Sequence, residues 1–380
     1  MLGILAAAVG GAAGAMALVG IVIIFVWYCL LRKRSVSRTS QTNSSEPSLQ
    51  GQNIELSFSG GVSYPPGLQE ARCFTLEELN VATKNFSNIN LIGYGMFGEV
   101  FKGLLHGGMI VAIKRRPSAP RQEFVEEVHY LSTIRHRNLV SLLGYCREND
   151  TQMLIYEYVP NGSVSTHLYG SGQVVSARLE FKHRLLIAHG AAKGLGFLHS
   201  MNPPLVHMNF KTENVLVDED FIPKVSDAGL QSLLDRIDDA GPSYRMTTDD
   251  PFLDPEVKES GRFSVMSDVY SFGVFLMELV SGREARSDQR IIELAQNYQE
   301  PHNISTLVDQ RMGSSFTSEG MNEFLRLIAW CLNPSSKRRP PMNYVELELD
   351  RIHEKEMSLT TIMPEGGTTV TLGSQLFTAT

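Results

Sequence analysis

The stretch from Gly93 to Lys114 constrains this chain more than any other. Gly93-Tyr94-Gly95-Met96-Phe97-Gly98-Glu99-Val100 carries three glycines at the spacing GxGxxG. Glycines so placed let a backbone lie against phosphate oxygens with no Cβ in the way. The spacing alone would equally suit the start of a dinucleotide-binding helix. Here, however, the residues from Val100 to Lys114 alternate and turn at His106-Gly107-Gly108, which is the pattern of a β-hairpin. A hairpin after the glycines disfavours the dinucleotide fold.

More chemistry-bearing segments follow in a fixed order. Val111-Ala112-Ile113-Lys114 ends the hairpin on a lysine, and Gln122 to Ile134 reads as an amphipathic helix holding Glu123, Glu126 and Glu127. Leu205 to Asp218, LVHMNFKTENVLVD, sets His207, Asn209, Lys211 and Asn214 among apolar Val206, Phe210, Val215 and Leu216. Ser226-Asp227-Ala228-Gly229, Leu253-Asp254-Pro255-Glu256, SDVYSFGVFLMELVSG and RRPPM complete the set.

Together these resemble a protein kinase: glycine-rich loop, VAIK strand, catalytic loop, metal motif and Ala-Pro-Glu end, in order. HRNLVSLLGYC, IYEYVPNGS and the leading FTLEELNVATKNFS are similar to the wording of plant receptor-like and related cytoplasmic Ser/Thr kinases. The resemblance covers Phe74 to about Ile352. It implies an α+β, bilobal fold, with a sheet-rich N-lobe carrying one helix (αC) and a larger helical C-lobe.

The resemblance implies roles for named positions. ATP would lie under Ile92, Gly93, Gly95, Gly98, Val100 and Ala112, with Lys114 on its α/β-phosphates and Glu127, ahead of Glu126 and Glu123, as the partner of Lys114. Tyr156 falls at the gatekeeper, and the backbone of Glu157, Tyr158 and Val159 would pair with adenine. Asn214 and Asp227 would hold Mg²⁺ through oxygen. His207, Ala228, Glu256, Asp268 and Arg339 stand at structural positions, with Glu256 expected to pair with buried Arg339. Phe181 to His199 reads as the helix before the catalytic loop.

Departures from the family pattern cluster around one place. Asn209 stands where the catalytic Asp is expected and Met208 where an Arg is expected. An amide can hydrogen-bond a substrate hydroxyl but is no base near neutral pH. Losing the base costs roughly 10²–10⁴ in rate. Ala228 replaces the Phe that packs under αC. Asp249, aligned back from Pro255, falls at the peptide-binding Thr, where an acid would repel the γ-phosphate. Met208 cannot clamp a phosphorylated activation loop.

The N-terminus adds a second unit. Gly3 to Leu31 carries no charge, and Arg32-Lys33-Arg34 follow at once. About 20 apolar residues span a bilayer, and the positive-inside rule puts everything after Arg32 in the cytoplasm. Residues 1–31 therefore read as an outer tip and transmembrane helix, 32–73 as a disordered linker, 74–352 as the kinase-like domain (N-lobe to about 158, C-lobe 159–352), and 353–380 as a disordered tail. Thr75 with Glu78 makes a capping box at the start of the ordered part. Four cysteines without a CxxC pair fit a reducing compartment. The net charge of −7 gives no reason to expect nucleic acid as a partner.

The expectation is thus a single-pass plasma-membrane pseudokinase that binds ATP and docks to active receptor-like or cytoplasmic kinases. The competing expectation is a slow Ser/Thr kinase, in which Lys211 helps neutralise the γ-phosphate and Asn209 positions the hydroxyl.

Overall fold

A computed structural model describes residues 71–119, 121–169, 179–237, 249–298, 304–313 and 315–360. The span expected over residues 1–31 and most of the linker lie outside these residues. Among the described residues no helix is long and apolar enough to cross a membrane.

The N-lobe is a six-stranded sheet in the order β1-β5-β6-β4-β3-β2. Its strands are β1 (Arg72–Cys73), β2 (Leu91–Gly95), β3 (Gly98–Leu104), β4 (Ile110–Pro117), β5 (Leu142–Glu148) and β6 (Thr151–Glu157). β3 and β4 form the hairpin expected from the alternation, with Leu104 opposite Ile110. The pleat then sorts β4: Val111 and Ile113 are fully buried in one cluster with Leu79 and Ala82 of helix α1 (Leu76–Thr83), and Ala112 and Lys114 face the other side. Thr75 Oγ1 accepts the Glu78 N–H at 3.2 Å, as an N-cap should. The reciprocal half of the box is missing, because the Glu78 carboxylate takes Arg72 at 2.8 and 2.9 Å instead. That pairing belongs to an ordered segment. Arg72 and Cys73, expected in the linker, thus form β1, which runs parallel to Gly144–Tyr145. Gly144 is required there, since a Cβ would lie 2.0 Å from the Arg72 carbonyl oxygen.

Helix α2 (Gln122–Ser132) buries Phe124, Val128 and Leu131 on its inner face. Beyond β6 the chain is mostly helical: α3 (Val164–Tyr169), α4 (Phe181–Ser200), the small hairpin β7 (Val215–Val217) and β8 (Pro223–Val225), α5 (Leu230–Ile237), α6 (Pro255–Ser260), α7 (Val265–Ser281), α8 (Arg290–Gln296), α9 (Ile304–Leu307), α10 (Ser318–Cys331) and α11 (Met342–Thr360). α7 is rich in apolar residues and is buried all round from Ser267 to Ser281, with Asp268 and Glu278 buried among them. A reciprocal cap starts it: Ser264 Oγ accepts the Ser267 N–H and Ser267 Oγ accepts the Ser264 N–H. Phe272 and Phe275 of α7 each lie 5.5 Å from the ring of Phe210 in the catalytic loop. Burying one such ring contributes about 1.5–3 kcal/mol, so the loop is seated on the core itself.

α11 runs past the expected domain end at 352. Its Glu356 is buried and accepts from Thr317 N–H at 2.7 Å and Thr317 Oγ1 at 2.6 Å, capping α10. Residues 353–360, expected in the tail, are thus helical, and the rest of the expected tail lies outside the described residues.

Candidate functional site

The site lies between the β2–β3 hairpin above and the catalytic loop below. Gly95 pairs with Gly98, so Met96 and Phe97 form a two-residue turn. Gly98 has φ +141, and a Cβ there would sit 2.2 Å from the Arg115 carbonyl oxygen, so only glycine fits. Nothing lies within 4 Å of where a Cβ would stand on Gly93 or Gly95. Ile92 and Tyr94 are exposed, whereas Phe97, at the tip of the turn, is only 1% exposed.

Below, Asp268 of α7 holds the catalytic loop by its backbone. Its two oxygens accept the His207 N–H at 2.7 Å and the Met208 N–H at 2.9 Å. His199 Nε2 reaches the same carboxylate at 2.8 Å. His207 donates from Nε2 to the Ser226 carbonyl at 2.8 Å and accepts the Asn209 N–H on Nδ1 at 3.3 Å. The imidazole is thus a fastener between two loops. Asn209 is buried, and its amide Nδ2 points at the Met96 sulfur, 3.8 Å away. Asn214 Nδ2 donates to the Asn209 carbonyl at 2.9 Å, which leaves the Asn214 Oδ1 as its acceptor face. Lys211 is half-buried beside them.

Two adjacent side chains of this loop lead to α7 and to the loop after it. Thr212 Oγ1 donates to Glu278, which also accepts from Tyr169 O–H at 3.0 Å and Ala285 N–H at 2.7 Å. Burial, with Glu213 nearby adding to it, pushes the Glu278 carboxyl up to about 7.

Lys114 and Asp227 form a direct, buried ion pair. Glu127 does not join them, contrary to expectation: its Oε2 lies 3.0 Å from Arg236 Nη1 on α5. The cause is the helix that follows Asp227. Leu230, Leu233, Leu234 and Ile237 recur at helical spacing and are all buried in the core cluster that also holds Phe124, Val128 and Leu131 of α2, and α5 packs against α2. At Gly229, φ +72, a Cβ would stand 2.4 Å from Leu131 of α2. Ala228, small and half-buried, puts no aromatic ring beneath α2. α5 therefore holds α2 by its own apolar stripe and captures the buried carboxylate with Arg236. Neither Arg236 nor Phe97 was singled out from the sequence. The signals were present: an i, i+3, i+4, i+7 stripe straight after Asp-Ala-Gly, and an apolar residue at the apex of a tight turn.

The far end of the segment brings two more corrections. Arg339 is bound bidentately by Asp254, at 2.5 and 2.7 Å, and not by Glu256. Glu256 instead accepts the Ser336 N–H at 2.8 Å, and hydrogen bonds from the Ser336 side chain and then its backbone, more than the nearby Arg339, hold its carboxyl below the usual range. Asp254 precedes the helix and turns inward as its N-cap, while Glu256, inside the first turn of α6, turns outward. Asp249, expected to face the γ-phosphate, is exposed, and its carbonyl accepts from Gln289 at 3.3 Å. Asp250 is the buried acid. Arg286 bridges it to Glu213 of the catalytic loop, each at 3.0 Å, so its charge is met by a guanidinium.

The hinge closes the back of the cleft. Tyr156 is buried, and burial together with Asp227 raises its phenol above the usual range. Its ring lies 5.5 Å from Lys114 Nζ. Glu157 turns its carboxylate away, onto Ser141 N–H at 2.8 Å and Lys224 at 3.1 Å. Tyr158 lies under Lys102 at 4.5 Å, and Val159 is buried. Val100 and Ala112 are half-buried on the underside of the sheet, between the hinge and the glycine turn.

Comparison with known proteins agrees with this architecture. The sequence profile of the family described as protein tyrosine and serine/threonine kinase matches residues 86–349. A probable serine/threonine-protein kinase of Arabidopsis thaliana, PBL21, is 36% identical over 310 residues, covering 79% of this chain and 81% of that protein. The proline-rich receptor-like protein kinase PERK1 of the same plant is 38% identical over 291 residues, covering 73% of this chain and 44% of its own. Among solved structures, the pseudokinase domain of BIR2, an immune regulator of the RLK/Pelle family, superposes with a TM-score of 0.63 at 29% identity, over 76% of this chain and 91% of that one. The chain belongs to the protein kinase family, on its plant receptor-like branch.

Proposed function

We propose that this chain is a membrane-anchored receptor-like pseudokinase, signalling by docking to active receptor-like or cytoplasmic kinases at the plasma membrane. The observation that carries the reading is Asn209: at the position of the proton acceptor stands a buried amide, turned toward Met96. The family likeness to BIR2, a pseudokinase, supports it. Residues 1–31 would anchor the chain and 74–352 would form the docking unit.

The donor set still suits a magnesium nucleotide. Asp227 and Asn214 carry carboxylate and amide oxygens, Lys114 pairs directly with Asp227, and Gly93 and Gly95 put no side chain in the way of a phosphate. ATP bound there would supply a phosphoryl group. Lys114 would hold the phosphates, Asp227 and Asn214 the Mg²⁺, and Glu157 to Val159 the base. For this the Lys114–Asp227 pair must open, and Glu127 is not at hand to steady the lysine.

Retention of Lys211, Asn214 and Asp227, with relatives named as Ser/Thr kinases, favours a second reading: a slow protein Ser/Thr kinase in which Lys211 steadies the γ-phosphate and Asn209 orients the hydroxyl. One assay separates the two. Radiolabelled phosphate transfer by the purified full chain, to itself and to a peptide, should not exceed that of its Lys114→Met variant. Transfer by the native chain that disappears in Lys114→Met would sink the pseudokinase reading.

A further inference from the structure

We propose that the glycine-rich turn is a stopper in its own nucleotide site, and that it props α2 in the position seen here. Residues at the apex of a two-residue hairpin ordinarily face water, and even Tyr94, on the strand leading into the turn, is 77% exposed. Phe97 does the opposite. Its ring stacks on Phe124 of α2, with centroids 6.4 Å apart and planes 22° off parallel. Phe124 is itself fully buried and meets Tyr145 edge-on at 6.1 Å. The neighbouring Met96 rests its sulfur on the Asn209 amide, across the gap between the lobes. The turn is therefore tied down at both residues, one to the helix and one to the catalytic loop.

A turn so held would narrow the gap above Lys114–Asp227, where the phosphates of the proposed site would enter. A nucleotide with two or three phosphates needs the turn raised, and raising it strips Phe97 from Phe124. Phe124 and Glu127 are three residues apart on one helix face. The ring contact and the Glu127–Arg236 pair thus hold the same helix, one from the sheet side and one from α5. Nucleotide affinity and α2 position are linked by this contact, and linkage is reciprocal. Whatever frees α2 should tighten nucleotide, and nucleotide should loosen α5.

The inference rests on the proposed nucleotide site but not on absence of turnover. It is tested by titrating a fluorescent ADP analogue with Mg²⁺ into the full chain in mild detergent. The comparison set is wild type, Phe97→Ala, Met96→Ala and Arg236→Ala, each also with Lys114→Met. The expected result is that Kd falls at least about tenfold in Phe97→Ala, a gain of about 1.4 kcal/mol, and by a smaller factor in Met96→Ala and Arg236→Ala. Lys114→Met should abolish binding throughout. Met96 is less buried than Phe97, so its variant keeps the test alive if Phe97→Ala unfolds. Equal affinity in wild type and all three variants would overturn the stopper alone. Absence of binding in every variant would overturn it together with the nucleotide site. Tighter binding by wild type would make Met96 and Phe97 ligand contacts and would also overturn it.

Discussion

Glu127 of α2 lies 3.0 Å from Arg236 of α5, and this pair stands in place of the one between Glu127 and Lys114. The carboxylate is 4% exposed and the guanidinium 61%, so the two ends of the pair are not energetically alike. Water can satisfy the arginine, but not the acid.

Arg236→Ala should therefore expose the acid's isolation. Leaving a buried acceptor unpaired costs about 1–3 kcal/mol. The predicted outcome is faster amide hydrogen exchange across residues 230–237 and within α2, with α7 unchanged. Unaltered exchange in both helices would mean that the apolar stripe of α5 suffices without the ion pair.

The bidentate pair of Arg339 with Asp254 is buried at both ends. Removing one partner of such a pair typically costs 3–5 kcal/mol. Asp254→Ala should lower the thermal midpoint by on the order of 10 °C, while Glu256→Ala should shift it far less. A larger effect from Glu256→Ala would restore the pairing first expected from the sequence.

Restoring the base should not by itself restore a kinase. With Glu127 held by Arg236 and Lys114 by Asp227, Asn209→Asp is expected to raise phosphate transfer by less than about tenfold, below the usual worth of a general base. Combining it with Arg236→Ala should add more than either change alone. Full rescue by Asn209→Asp alone would show that the latch opens freely in solution.

Glu278 gives a pH signature. Its carboxyl is raised to about 7 in the fold, chiefly by burial. Between its ordinary value and about 7 the unfolded chain has lost a proton that the folded chain keeps. Stability contributed by this group is thus full at low pH and lost as pH rises through that window, by at most about 1.4 kcal/mol per pH unit. Chemical denaturation of wild type and Glu278→Gln from pH 5 to 8 should show wild type losing ground to the variant as pH rises. Parallel curves would exclude the effect.

Much of the fold was legible because it is written in local periods. The alternation around the His106-Gly107-Gly108 turn gave the β3–β4 hairpin, and the helix read over Phe181 to His199 is α4, Phe181–Ser200. The partners of charged groups were less legible. Motif spacing assigns Glu127 to Lys114, but which cation Glu127 meets depends on whether α5 forms, and that is a matter of packing between distant segments. Asp254 and Glu256 are two residues apart and chemically alike. Only the start of α6 between them decides which one faces Arg339. At the other end, helix α11 outran its expected limit because Glu356 finds Thr317 in a different helix, a contact no local pattern announces.

The grip of Asp268 on the catalytic loop has a consequence for how such a loop can change. Both hydrogen bonds go to peptide N–H groups, of His207 and Met208, and every residue type except proline supplies one. At Met208 the backbone is thus held whatever side chain the loop displays there, and at Asn209 the bond to the His207 ring likewise uses only the peptide N–H. Methionine can stand where the family has arginine, and asparagine where it has aspartate, with the architecture left standing.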